Sequence, residues 1–175
     1  MKKVIIISSS MRKGNSDTLC DEFQKGAEKN NETVRINLRD INLQFCKACS
    51  DCYEIGRCTH LDDMNKIYAS IKDADVLAFA TPIYFGEISG QLKTFIDRLY
   101  PIYKSLKAKE IVVIATCYSN NKKFIDDSIN SIKRFAADIG DIPITHIIYG
   151  ENCDESNDVS SLQKKKAYEI GLLIK

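Results

Sequence analysis

Apolar residues along this chain fall into two alternating patterns, short β-rich runs and longer stretches with helical spacing, which predicts a sheet with crossover helices. Val4 to Ile7, Val76 to Ala80 and Ile111 to Ala115 are continuously apolar, as strands covered on both faces are, and predict three central strands. Thr33 to Leu38 alternates instead, with Val34, Ile36 and Leu38 apolar between Arg35 and Asn37, and Ile142 to Ile148 carries Pro143 and His146. Both read as edge strands, where a missing N–H donor or a wet face is tolerated.

Between the strands, Met64, Ile67, Tyr68 and Ile71 fall at i, i+3, i+4 and i+7, as do Leu92, Phe95, Ile96 and Leu99. Leu19, Phe23 and Ala27 mark an earlier helix. Ile125, Ile129, Ile132, Ala136 and Ile139 mark a later one, and Leu162, Ala167, Ile170 and Leu173 a last. Pro101 is expected to end the Leu92 helix near Tyr100. Five strands with the second and fifth at the edges match the doubly wound parallel order 2-1-3-4-5, an α/β sandwich of three layers. Right-handed crossovers then bring the loops after strands one to four to one carboxyl end, beside a crevice between strands one and three. No repeat, low-complexity tract or linker divides the chain, so residues 1–175 are expected to form a single domain.

Composition narrows the function classes. The 175 residues, 44% hydrophobic and 28% charged, suit one globular domain with a sizeable core. A net charge of +1, with no Arg/Lys run interleaved with aromatics, argues against nucleic acid or an anionic membrane as partner. Lys164, Lys165 and Lys166 read as a solvated helix face. The apolar stretch after Met1-Lys2-Lys3 is too short for a secretion signal, and none is long enough to span a bilayer, so a cytoplasmic protein is expected. Seven cysteines are present, and Cys46, Cys49, Cys52 and Cys58 crowd into thirteen residues. Without an export signal, that crowding points to metal or redox chemistry before structural disulfides.

Directly after the first strand runs Ser8-Ser9-Ser10-Met11-Arg12-Lys13-Gly14-Asn15-Ser16, opening the first helix. A helix amino terminus suits a phosphate monoester; hydroxyls of Ser10, Ser16 and Thr18 add donors, Arg12 adds charge, and Gly14 permits a turn. The plain alternative is that Asn15 or Ser16 only caps the helix while Arg12 lies at the surface. The Walker spacing is absent, which argues against nucleoside triphosphate hydrolysis. The stretch SSSMRKGNS resembles the phosphate loop of the NADPH-dependent FMN reductase family, GSPRxGN followed by Ser or Thr. Met11 stands where that pattern has proline and Ser9 where it has glycine. The resemblance implies a flavodoxin-like fold and carries FMN phosphate contacts onto Ser10, Arg12, Asn15 and Ser16, with Ser8 at the loop's opening.

After strand three, Thr81 to Lys93 and on to Phe95-Ile96-Asp97-Arg98 resembles the TP-x-Y-x5-G-x-L-K-x-F-x-DR signature of the same family. A loop holding Pro82, Ile83 and Gly86 can present backbone N–H groups to a flavin ring while Tyr84 and Phe85 offer apolar surface. Taken alone, the loop reads equally as a turn whose aromatics cover the core. Lys93, Asp97 and Arg98 read as surface pairs beside the site. After strand four, Thr116, Cys117 and Tyr118, followed by Ser119, are expected to line the crevice's other side.

The spacing Cys46-x2-Cys49-x2-Cys52-x5-Cys58 follows strand two, at the same end of the sheet. Compact soft ligands favour an iron-sulfur cluster; a reversible disulfide or plain thiols stand beside that reading, and a zinc site third. With His60-Leu61-Asp62-Asp63-Met64 following, the loop resembles that of the iron-sulfur flavoproteins, a branch implied to hold a 4Fe-4S cluster on all four cysteines. Asp62 and Asp63 suit the start of the next helix.

Flavin carries the hard chemistry, so no side chain is assigned a catalytic role. His60 and His146 sit in no nucleophile motif, and His146 reads as structural. The resemblance implies an FMN-dependent NAD(P)H oxidoreductase reducing free flavin, a quinone or an iron centre, and working as a homodimer or homotetramer. The alternatives are an iron-sulfur electron carrier, a non-catalytic flavin sensor, or an interaction protein stapled by zinc.

Overall fold

A computed structural model describes all 175 residues. Its strands are β1 (Lys3–Ser8), β2 (Glu32–Asn37), β3 (Val76–Tyr84), β4 (Glu87–Ile88), β5 (Glu110–Thr116) and β6 (Ile144–Gly150). Five of them form a parallel sheet in the order β2-β1-β3-β5-β6, the doubly wound order expected, with β2 and β6 at the edges. The sheet nonetheless has six strands, because β4 pairs antiparallel with the end of β3, Ile83 opposite Ile88 and Tyr84 opposite Glu87. Two residues with little alternation gave no strand signal. β3 also runs past Ala80 to Tyr84, keeping Pro82 in register with Thr116. At the edges, Leu38 leaves β2 in a short 3-10 turn, and β6 begins only after Pro143.

The helices are α1 (Asn15–Ala27), α2 (Asp51–Ile55), α3 (Met64–Lys72), α4 (Gly90–Asp97), α5 (Lys122–Ser128), α6 (Asn130–Asp138) and α7 (Ser161–Leu173). Side chains alternate across the central strands and sort the helices into two layers. Val4, Ile6, Ala78, Val112 and Ile114 pack with Leu19 and Phe23 of α1 and Ala167 of α7. Ile5, Ile7, Leu77, Phe79 and Val113 pack on the opposite face with Met64, Leu92, Phe95, Ile125 and Phe135. Each fully buried Val, Leu, Ile, Phe or Met side chain contributes about 1.5–3 kcal/mol relative to exposure, which is why the continuous apolar runs became central strands.

Three helical expectations are corrected. The stripe from Ile125 to Ile139 spans two helices that break at Ile129 (φ −97°, ψ 17°); Ile129 stays buried, so the apolar period passes through the break unaltered. α4 ends at Asp97, and Leu99 is buried in the turn that follows. In α7, Leu162 and Leu173 are exposed, because that helix meets α1 through glycine. A Cβ on Gly171 would lie 2.2 Å from the Phe23 carbonyl oxygen and 3.0 Å from Gly26 Cα. Close backbone approach replaced the expected leucine stripe. No helix is long and apolar enough to cross a membrane.

Candidate functional site

Hydroxyl groups stitch the loops at the carboxyl ends of the strands. Ser9 donates from both N and Oγ to the Ala80 carbonyl, each at 2.9 Å. Ser89 Oγ donates to Ser9 Oγ at 2.8 Å, and Ser89 N donates to Thr81 Oγ1 at 3.0 Å. The same Ser89 hydroxyl caps α4 by accepting from Leu92 N. Across the crevice, Ser16 Oγ and Thr116 Oγ1 are 2.7 Å apart and join α1 to the end of β5. Asn15 fastens the segment after β6: its amide donates to Glu155 O at 2.6 Å and its Oδ1 accepts from Asp158 N at 3.0 Å. Bonds of this kind between loops restrain the positions of the side chains they carry.

Between these loops lies a crevice of about 160 Å³. Ser10, Arg12, Asn15 and Ser16 line one side, Pro82, Ile83 and Tyr84 the second, and Thr116, Cys117 and Tyr118 the third. Gly14 is the N-cap of α1 and has no side chain to cap it, and Gly14, Asn15 and Ser16 all line the crevice, so the uncapped amino terminus of the helix borders it. Ser10 Oγ donates to Arg12 O at 2.6 Å and shapes the turn. Cys153 and Asp154, which the sequence did not suggest, complete the lining from the segment after β6.

Phe85 and Gly86 form the tip of the β3–β4 hairpin with φ of 51° and 78°, the paired left-handed geometry of a two-residue hairpin loop. They line an adjoining shallow hollow with Ile83, Tyr84, Tyr118 and Phe124. Phe124 packs edge-on against Tyr118, ring centroids 5.9 Å apart. A polar, donor-rich crevice that opens into an aromatic hollow fits the two ends of FMN, a phosphate and a flat ring. Burial raises the thiol pKa of Cys117, and burial first and then Asp158 raise that of Cys153 to about 11, so both are uncharged at neutral pH.

Two residues expected at the site lie elsewhere. Ser8 is fully buried and its Oγ donates to Asp17 Oδ1 at 2.7 Å, on the side of β1 that faces α1. Asp17 also takes ion pairs from Arg35 and Arg39, the latter at 2.6 Å. Thr18 Oγ1 donates back to Gly14 O at 3.2 Å and borders a separate depression with Lys13, Asp17 and Arg39.

Beyond β2, Cys46, Cys49, Cys52 and Cys58 all line one hollow of about 410 Å³ with His60, Arg98 and Tyr100. All four are free thiols. Ala48 and Ser50 adopt positive φ (52° and 65°) on either side of Cys49, folding the loop back over the hollow before α2. Burial raises the Cys52 pKa, and the neighbouring Cys58 and Cys49 raise it further, so the sulfurs sense one another. They do not converge on the position of a single ion. Four thiols spread around a hollow could, once deprotonated, hold a multi-iron cluster. Arg98, expected at the surface, is instead 1% exposed and pairs with Asp62 through both carboxylate oxygens, at 2.6 and 2.8 Å. Lys93 and Asp97 do form an exposed pair, at 2.6 Å. Buried Arg98 Nε and His60 Nε2 have no hydrogen-bond partner, and both residues line this hollow.

Residues 1–126 match the model of the NADPH-dependent FMN reductase family. An iron-sulfur flavoprotein of Methanocaldococcus jannaschii is 41% identical over 102 residues, 57% of this chain and 53% of the relative. The chain spans about half the length of the curated relatives first matched, all of them iron-sulfur flavoproteins. Among solved structures, an NAD(P)H:quinone oxidoreductase of Methanothermobacter marburgensis superposes with a TM-score of 0.79 at 16% identity, over 98% of this chain and 96% of that one. An FMN-dependent NADH-azoreductase of Bacillus anthracis, in complex with FMN, gives 0.72 at 17% identity over 98% of each. At such identities the superpositions establish a shared flavodoxin-like fold.

Proposed function

The chain belongs to the NADPH-dependent FMN reductase family, and from that premise we propose a single-domain FMN-dependent oxidoreductase that takes electrons from NAD(P)H and delivers them to a small-molecule or protein acceptor. The observation that carries this reading is the continuity of the polar crevice at Ser10, Arg12 and Ser16 with the aromatic hollow at Tyr84, Phe85 and Tyr118. Bound FMN supplies hydride acceptance and one- or two-electron release. Arg12 and the open N–H groups of α1 hold the phosphate. The β3–β4 hairpin backs one face of the ring, while Cys117 and Cys153, kept protonated, add no charge beside it. The exposed Tyr84, Phe85 and Tyr118 suit closure by a second copy in a homodimer or homotetramer, and a monomeric mass in solution contradicts that. Incubation with FMN should give a yellow protein with a measurable heat of binding. NADH and NADPH should then differ in the rate at which they bleach it. Colourless protein and no binding heat with excess FMN sink the proposal.

A second reading is favoured by the cysteine hollow: the four thiols hold a 4Fe-4S cluster that passes electrons on singly. Its support is the four-thiol donor set, the two unpartnered nitrogens at the same hollow, and the resemblance to relatives named iron-sulfur flavoproteins. Anaerobic purification should yield about four irons and four labile sulfides per chain. Near-zero iron removes the cluster and leaves the flavin proposal standing.

A further inference from the structure

Four buried side-chain polar atoms in the molecule lack a hydrogen-bond partner, and two of them, Arg98 Nε and His60 Nε2, belong to residues lining the cysteine hollow. The other two, Arg35 Nε and Asn37 Oδ1, share the depression beside Asp17, so what sets the cysteine hollow apart is that its two unpaired nitrogens stand with four thiols, where a group bearing sulfur acceptors would satisfy them. Arg98 also stands in a particular relation to the cysteine loop. Its Nη1 donates to Gln44 O at 2.6 Å, just ahead of Cys46, and both of its Nη atoms donate to Asp62, just beyond Cys58. Asp62 is fixed in turn by Gln44 N at 3.0 Å and Met64 N at 3.2 Å. Tyr68 Oη holds the Arg98 carbonyl at 2.7 Å. The guanidinium therefore clips both ends of the loop and is held rigidly while its Nε–H remains unused.

We propose that Arg98 is a positioning residue for the group on the four cysteines: it clips the loop shut, and its Nε–H, together with His60 Nε2, donates to a sulfur of that group and raises its reduction potential. The inference rests on the cluster reading. A bound cluster would take one electron from a reduced mediator with no bond made or broken, so its net charge would become more negative by one while the mediator is oxidised by one electron. Hydrogen bonds to the sulfurs stabilise the more negative state more than the less negative one. Loss of either donor must therefore lower the potential.

The test uses anaerobically purified holoprotein with its iron counted, titrated with redox mediators and followed by electron paramagnetic resonance and visible absorption. Arg98→Lys keeps the charge and removes the fork and its Nε–H. His60→Ala removes the second donor at a half-buried position and puts the fold at less risk. Each is expected to shift the cluster to lower potential, a roughly tenfold change in the reduced-to-oxidised ratio at fixed applied potential. The flavin potential in the same titration should hold its wild-type value, which a general loosening of the fold would not allow. Full iron content with a wild-type cluster potential in both variants overturns the inference and leaves Arg98 as a clip alone. If Arg98→Lys does not fold, an unshifted potential in His60→Ala overturns the two-donor proposal by itself. Iron-free wild-type protein instead sinks the cluster reading and this inference with it, an outcome the iron count separates from the first.

Discussion

Ser16 and Thr116 meet hydroxyl to hydroxyl at 2.7 Å, and this one bond ties the first turn of α1 to the last residue of β5 within the crevice lining. The two residues are far apart in sequence and come from elements on different sides of the phosphate end. Their contact joins the loop after β1 to the loop after β5 in one wall of the crevice. A phosphate entering there meets Ser16 already oriented, with Arg12 at the exposed rim.

Arg12→Ala should therefore weaken FMN binding selectively. A hydrogen bond to a charged group contributes about 1.5–3 kcal/mol, so the FMN dissociation constant should rise roughly tenfold to a hundredfold. Riboflavin lacks the phosphate, and its weaker binding should be unchanged. Calorimetry with both ligands checks this; equal losses for the two would move Arg12 away from the phosphate.

Gly171→Ala should destabilise the fold without touching the crevice. The added Cβ would lie 2.2 Å from the Phe23 carbonyl oxygen and 2.8 Å from Ala27 N, backbone atoms with no room to retreat. Overpacking of this kind costs roughly 1–3 kcal/mol. Gly90→Ala is the control, since a Cβ there meets nothing within 4 Å. Urea unfolding of both variants reads the difference, and equal stabilities would contradict the α1–α7 contact.

The frame of the fold was legible because burial on both faces leaves continuous apolar runs such as Val4 to Ile7, which few other structures require. The crevice was largely legible because Arg12, Ser16 and Tyr84 follow strands whose carboxyl ends must converge. Strand alternation also held information about Ser8: Val4 and Ile6 face α1, so Ser8 does too, beneath Asp17 rather than in the crevice. Arg98 was misread because helical spacing shows which face a charge occupies, while its partner Asp62 lies across a loop whose path the sequence does not reveal. Cys153 sits in the polar run Glu151 to Glu155, and only the bonds from Asn15 to that segment bring it over the crevice. The break at Ile129 left no mark because the buried stripe continues across it.

Acid should release the Asp62–Arg98 clip. Burial by itself raises the Asp62 pKa, but Arg98 and the N–H groups of Gln44 and Met64 outweigh it and hold the carboxyl below its ordinary value. A depressed carboxylate stabilises the fold fully above its unfolded pKa of about 4, and that contribution is lost as pH falls through the folded value. Asp62→Asn leaves the buried Arg98 without its counter-charge, and breaking such a pair costs about 3–5 kcal/mol. Urea titrations at neutral pH should show that loss, and the gap from wild type should narrow below the ordinary carboxylate range. A gap independent of pH would mean that Asp62 acts through its shape alone.

Phe85 stands at φ 51° at the tip of the hairpin and is fully exposed, so it has neither the backbone freedom nor the burial that would explain an aromatic there. Left-handed geometry costs an ordinary L residue about 1–2 kcal/mol, and Asn tolerates it better. Strain of this sort tends to persist where a side chain serves a ligand. Phe85→Asn should thus hold or raise the melting temperature of the flavin-free protein while slowing reduction of bound FMN by NAD(P)H. The two changes have opposite signs, so one variant separates a fold requirement from a flavin requirement. Wild-type reduction rates and FMN affinity in a more stable Phe85→Asn protein would deny the ring site any use of this side chain.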